Sequence, residues 1–156
     1  MFGIGKKTNA LCRELIEIRF RHHGRDDSAA RLEIKNLNSF QLSSTPEMGM
    51  ITIISTALKN LKHGVPVANI LIDLENQRGR VTGSDQRIFQ AIIDGCFKEN
   101  IEDHMMALNA YVFYRMTHEN PNVHFEFDAL HEMLRIATNE IGTTVVCELN
   151  AKNWCF

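Results

Sequence analysis

The sequence lacks the short motifs that commonly identify a function. It has no phosphate-binding glycine loop, no G-x-S-x-G motif and no dinucleotide-binding fingerprint, so the enzyme classes that carry these motifs are not indicated. Its cysteines include no C-x-x-C pair and no zinc-finger spacing, and they are scattered along the chain: Cys12, Cys96, Cys147 and Cys155. Scattered cysteines are typical of reduced, mostly buried thiols in a reducing compartment.

Long apolar runs and an excess of one charge are also absent. No window approaches the roughly 20 apolar residues of a membrane-spanning helix, and the N-terminal MFGIGKKTNA has no apolar run of signal-peptide length. A formal net charge of -2 gives no general reason to bind nucleic acid or an anionic membrane. The sequence therefore predicts a cytoplasmic protein without membrane contact, and it argues against nucleic acid as a partner.

The composition is that of an ordinary globular protein. Hydrophobic residues make up 44% of the chain and charged residues 23%, which argues against wholesale disorder. A chain of 156 residues is long enough to bury a core and short enough for one domain. Because there is no repeat, low-complexity tract or linker, a single globular domain over 1–156 is predicted.

The strongest helical signal lies between residues 100 and 142. Apolar residues recur at helical spacing over 101–118 and again over about 127–141, which predicts a helical hairpin whose two apolar stripes pack against each other and the rest of the chain. The first stripe consists of Ile101, Met105, Leu108, Val112 and Met116, and the second of Phe127, Leu130, Leu134, Ala137 and Ile141.

Start and stop signals predict three further helices. Thr45 suits an N-cap and Pro46 the first position of a helix that ends at Gly64. The other two run from Pro66 to Gly79 and from a Ser84 cap to a bend near Gly95.

Two regions have the alternating pattern of strands. Residues 15–21 and RLEIK at 31–35 alternate between apolar and charged residues, as a β-hairpin would. The second of these also fits a capped helix, DDSAARLEIKNL. TTVVCEL at 143–149 is rich in β-branched residues and bounded by glycine and asparagine, which predicts a strand. The predicted fold is therefore α+β, with about five helices and a small sheet, and the alternative is all-α.

One cluster of residues has the composition of a metal site. The predicted hairpin would bring together the end of one helix and the start of the next, which carry His118, His124, Asp128 and His131. Imidazole and carboxylate suit zinc, iron or manganese, and an open coordination position would activate water. The simpler interpretation is a set of solvated residues at a helix turn with Asp128 as an N-cap. No H-E-x-x-H motif is present.

Two weaker patterns lie in the first half of the chain. HHGRDD at 22–27 has the composition of an active-site rim or a phosphate site, although polar loop tips have it too. The turn at Gly64 has some likeness to a helix-turn-helix, but its second helix carries Asp73 and Glu75, which phosphates would repel.

Abundant core signals and the lack of catalytic motifs favour a small interaction, assembly or regulatory protein that self-associates. Its partner would be a second copy or another protein, and no cofactor or enzymatic activity is predicted. Trp154 and Phe156 near the C-terminal end are the candidate interface, because aromatic residues contribute much of the binding energy of interfaces. The alternative function is a divalent-metal enzyme using the 118–131 cluster, and the third is a nucleic-acid-binding regulator.

Overall fold

The computed structural model describes residues 2–79, 84–96, 101–120 and 123–154, and within these ranges it contains helices and no strand. The helices are α1 (Phe2–His22), α2 (Ser28–Lys35), α3 (Ser39–Ser43), α4 (Pro46–Lys62), α5 (Val67–Arg78), α6 (Ser84–Cys96), α7 (Ile101–Glu119) and α8 (Phe127–Trp154). The α+β prediction with a small sheet is therefore wrong, and the all-α alternative describes the fold.

The predicted N-terminal β-hairpin is helical. Residues 15–21 lie in α1 and 31–35 in α2, which Asp27 caps by accepting a hydrogen bond from the Ala30 backbone N–H at 2.7 Å. Within a stretch of only seven residues, the apolar positions of a strand and of a helix partly coincide. The local sequence therefore does not distinguish the two structures. The longer pattern does, because α1 buries its residues at helical spacing: Leu11, Cys12, Leu15, Ile16 and Ile18.

The predicted strand at 143–149 is part of α8. The Thr143 and Thr144 hydroxyls donate to the backbone carbonyls of Asn139 and Glu140 at 2.9 and 3.1 Å, a bond that threonine makes inside helices. β-branched residues lose at most about 0.7 kcal/mol each in a helix. Burial of Val145, which is 5% exposed, outweighs that, since a buried valine gains about 1.5–3 kcal/mol.

The predictions from the capping signals at Thr45, Pro46, Gly64 and Gly79 are confirmed, whereas Ser84 is the first residue of α6. The Thr45 hydroxyl accepts a hydrogen bond from the Met48 N–H at 3.3 Å, and Pro46 is the first residue of α4. Gly64 follows α4 with a φ of 83°, and Gly79 ends α5 with the same value. A side chain at either glycine would be strained in this left-handed conformation.

Helix α4 is at the centre of the core and packs against α1, α5, α7 and α8. The two helices of the predicted hairpin are present, but each packs on α4, and their rings meet at one end, where Phe113 lies 5.4 Å from Phe127 between centroids. In the part of the chain that the structure describes, no helix combines the length and apolar character needed to cross a membrane.

Candidate functional site

The residues predicted as a metal site lie in different surroundings. Nδ1 of His118 is 2.9 Å from the backbone oxygen of Tyr114 in α7. Asp128 is exposed in the first turn of α8, and the His131 ring packs against aromatic rings of α7 and α8. Among the described residues, no three His, Cys, Asp or Glu side chains are grouped to hold a metal ion. The metal site remains a prediction.

The 22–27 loop, which the sequence predicted as a separate candidate site, contacts His124, the remaining residue of the predicted metal site. Nε2 of His23 donates to the backbone oxygen of His124 at 2.7 Å, and His22 and Arg21 both contact the Glu132 carboxylate. These contacts, the His22 hydrogen bond first, hold the pKa of Glu132 below its usual range. Together they join the end of α1 to the start of α8, a junction that partly exposed pairs stabilise only modestly.

A closed ring of polar side chains joins α5 to α7, and it contains the buried carboxylate of Glu75. This residue is 2% exposed, so its carboxylate is removed from water. The hydroxyl of Tyr114 donates to it at 2.7 Å and that of Tyr111 at 3.1 Å. A buried carboxylate without such donors would destabilise the fold by several kcal/mol.

Two arginines complete the ring. Nη1 of Arg115 donates to the Tyr111 hydroxyl at 2.8 Å, and Nη1 of Arg78 donates to the Tyr114 hydroxyl at 2.9 Å. Both guanidinium groups also pair with Glu119. Each tyrosine therefore accepts from an arginine and donates to the buried carboxylate, which fixes the direction of every hydrogen bond in the ring.

The electrostatics of the ring keep its tyrosines neutral. Burial, and then the hydrogen bond to Glu75, raises the pKa of Tyr114 to about 12. Burial also raises the pKa of Tyr111 above its usual range. The two neutral phenols donate hydrogen bonds to Glu75, and the charges of the two arginines balance those of the two glutamates. The ring is therefore a buried polar cluster whose groups are paired with each other.

Sequence reasoning missed this ring. Glu75 was considered only as one of the acidic residues of the helix after Gly64, yet it lies four residues after Leu71 and next to Leu74, which are both buried. A charged residue in register with an apolar stripe was the available signal. The partners lie 36 and 39 residues away along the chain, so they become visible only when α5 and α7 are known to be neighbours.

A groove of about 520 Å³ separates α7 from α8. Met106 on α7 is 67% exposed and Phe127 on α8 is 64% exposed, and both line the groove together with the buried Leu134. Phe113, Phe127 and His131 form an aromatic cluster at one end. Exposed apolar side chains grouped around a groove indicate an interaction surface, whereas single exposed ones do not.

The predicted interface residues are only partly described. Trp154 is the last residue of α8, and its side chain lies outside the described residues, as does the whole of Phe156. Comparison with protein-family models, curated proteins and solved structures finds no match to this chain. The function is therefore argued from the groove, the ring and the course of α8.

Proposed function

We propose that this chain is a cytoplasmic interaction protein that self-associates, and that the α7–α8 groove of one copy binds residues 151–156 of a second copy. The observation that carries the proposal is the exposure of Met106 and Phe127 beside an apolar groove. Covering either side chain fully would contribute about 1.5–3 kcal/mol. Aromatic residues such as Trp154 and Phe156 are the side chains that most often supply binding energy in such grooves.

The course of α8 supports a second copy as the occupant. Thr138 lines the groove, and Trp154 is sixteen residues further along the same helix, which corresponds to about 24 Å at 1.5 Å per residue. The two residues after Trp154 span at most about 7 Å. Trp154 therefore lies well beyond the groove of its own copy along α8, and the proposal places residues 151–156 in the same groove of a second copy.

A two-fold dimer would satisfy both copies at once. An axis near residue 144 of two antiparallel α8 helices places position 154 of one copy beside position 134 of the other, because positions that face each other across such an axis sum to twice 144. Leu134 is in the groove. Val146, next to this axis, is 38% exposed, as an apolar residue would be if a second helix covered it. Each copy would give and receive the same contact.

The cytoplasmic location is part of the proposal. Cys12 and Cys96 are free thiols within the core, and Cys147 is a free thiol at the surface. Free surface thiols persist best where the surroundings are reducing.

Sedimentation equilibrium on the full chain tests the proposal. We expect a dimer at micromolar concentration and a monomer for Phe127→Glu, because a buried carboxylate in the groove would be unpaired. The matched control is Phe40→Glu on α3, where the wild-type side chain is 83% exposed and distant in sequence from the groove. This control should remain dimeric. A monomeric wild-type chain, or a Phe127→Glu variant that still dimerises, would refute the proposal.

A chain that stops after Asn150 tests the occupant separately. It should be monomeric with an unchanged circular dichroism spectrum. If this chain still dimerises, the groove does not bind residues 151–156.

A further inference from the structure

A second depression, of about 290 Å³, lies between the first half of α4 and the α5–α7 pair. Its lining includes Gly49 and Thr52 from α4, Gln77 and Arg78 from α5, and Arg115 from α7. Two guanidinium groups of the polar ring thus also line this pocket, which is separate from the α7–α8 groove. Nothing in the proposed self-association uses it.

The ring leaves part of the hydrogen-bonding capacity of these arginines unused. A guanidinium group has five N–H donors. The ring contacts involve Nη1 and Nε of Arg78 and Nη1 and Nη2 of Arg115. Nε of Arg115 is buried and has no hydrogen-bond partner among the described residues. Oxygen atoms of an anion are the acceptors that guanidinium groups bind best, often through two parallel hydrogen bonds.

Gly49 is a second, independent observation. It lies inside α4, where glycine is less stable than alanine by about 0.5–1 kcal/mol. Its φ is not positive, and a Cβ atom built on it meets no atom within 4 Å. Neither the backbone conformation nor the packing therefore requires glycine, and the absence of a side chain at this position keeps the lining of the pocket open.

We propose that this pocket binds a small oxyanion group, a phosphate or a carboxylate, between Arg78 and Arg115, and that Gly49 leaves room for it. The two arginines supply the charge-assisted hydrogen bonds. Because Glu75 and Glu119 balance the charges of the arginines, a bulk electrostatic attraction is absent and recognition depends on these local donors. Binding is independent of the α7–α8 groove and of dimerisation.

Thermal unfolding of the full chain in inorganic phosphate, against sodium chloride of equal ionic strength, tests the proposal. A ligand that binds the native state raises the Tm in a saturable way, and we expect this for the wild-type chain. Gly49→Leu should remove the shift. It should not lower the Tm measured in chloride, because leucine is a better helix former than glycine.

The matched control is Gly95→Leu in α6, where an added Cβ also meets no atom within 4 Å. This variant should keep the full phosphate shift. Sodium acetate in place of phosphate distinguishes the two chemistries, and a saturable shift with either anion supports the proposal. The absence of a saturable shift with both anions would overturn it, as would an equal shift in the wild type and in Gly49→Leu.

Calorimetric titration with the effective anion gives the second test. Arg78→Lys keeps the positive charge and loses the planar fork of donors, so we expect at least tenfold weaker binding. Unchanged binding by a folded Arg78→Lys variant would overturn the proposal.

Discussion

Helix α7 faces α5 and α8 in opposite ways. On the α5 side, a closed ring of hydrogen bonds surrounds the buried Glu75. On the α8 side, an apolar groove stays open, with Met106 and Phe127 largely exposed. Buried hydrogen bonds require one geometry, since a displaced donor leaves a carboxylate unpaired. Apolar contacts accept a new partner without such a requirement. We therefore expect the α5 side to contribute stability, and the proposed function assigns binding to the α8 side.

The largest effect on stability is expected on the α5 side. Glu75→Ala leaves Arg78 without its buried counterpart and both tyrosine hydroxyls without an acceptor, so the free energy of unfolding should fall by about 3–5 kcal/mol. Urea denaturation measures it. Glu17→Ala is the control, because Glu17 is exposed on α1 and its loss should change stability by less than about 0.5 kcal/mol. Similar losses for both variants would contradict the assigned role of the ring.

Two substitutions on α8 compare a buried residue of the groove lining with an exposed one. Leu134 is 4% exposed, so Leu134→Ala should lower the free energy of unfolding by about 2–5 kcal/mol. Phe127→Ala, at a residue 64% exposed, should lower it far less at concentrations where the chain is monomeric. The dissociation constant of the dimer should show the opposite order, with Phe127→Ala raising it more than Leu134→Ala does. If both variants lose stability equally as monomers, Phe127 belongs to the core.

Tyrosine ionisation reports on the ring alone, because Tyr111 and Tyr114 are the only tyrosines in the chain. Both pKa values are raised in the folded protein, that of Tyr114 to about 12. The stability that this shift contributes is therefore present below pH 10 and is lost as the pH rises through 12. Ultraviolet titration should show phenol ionisation above pH 10 in the native chain and near pH 10 in denaturant. Native ionisation near pH 10 would mean that the hydroxyls are exposed.

The smallest expected effect is at the junction of α1 and α8. The pKa of Glu132 is held below its ordinary value of 4.5, by His22 first and then Arg21, so its contribution is present above pH 4.5 and is lost as the pH falls through its lowered value. Wild-type stability should drop more than that of Glu132→Gln on acidification. The difference should stay under about 1 kcal/mol. Parallel curves for the two proteins would show that the junction adds no stability.

Local chemistry made part of the fold predictable. Thr45 and Pro46 define the start of α4, and Gly79 the end of α5, through contacts within one turn of the chain. The segments at 15–21 and 143–149 were predicted incorrectly because their helical state depends on burial against distant helices. A β-branched or alternating stretch does not carry that information.

The candidate sites were less predictable for the same reason. The apolar stripes of the two hairpin helices were predicted. The packing of α4 against both helices and the groove between them depend on how the helices assemble, which the sequence did not show. Glu75 reaches tyrosines 36 and 39 residues away. The 22–27 loop and the 118–131 cluster were predicted as separate candidates, and the contact between His23 and His124 was not foreseen.

A cysteine cross-link between copies tests the central claim most directly. Cys155 lies in the segment proposed to enter the groove of a second copy, and Met106→Cys would place a thiol on the rim of that groove. A Cys147→Ser background removes the exposed thiol on α8. Mild oxidation should then yield a disulfide-linked dimer on a non-reducing gel. Phe40→Cys, at a position 83% exposed, should give none under the same conditions. No covalent dimer with Met106→Cys, or equal amounts with both variants, would contradict the account.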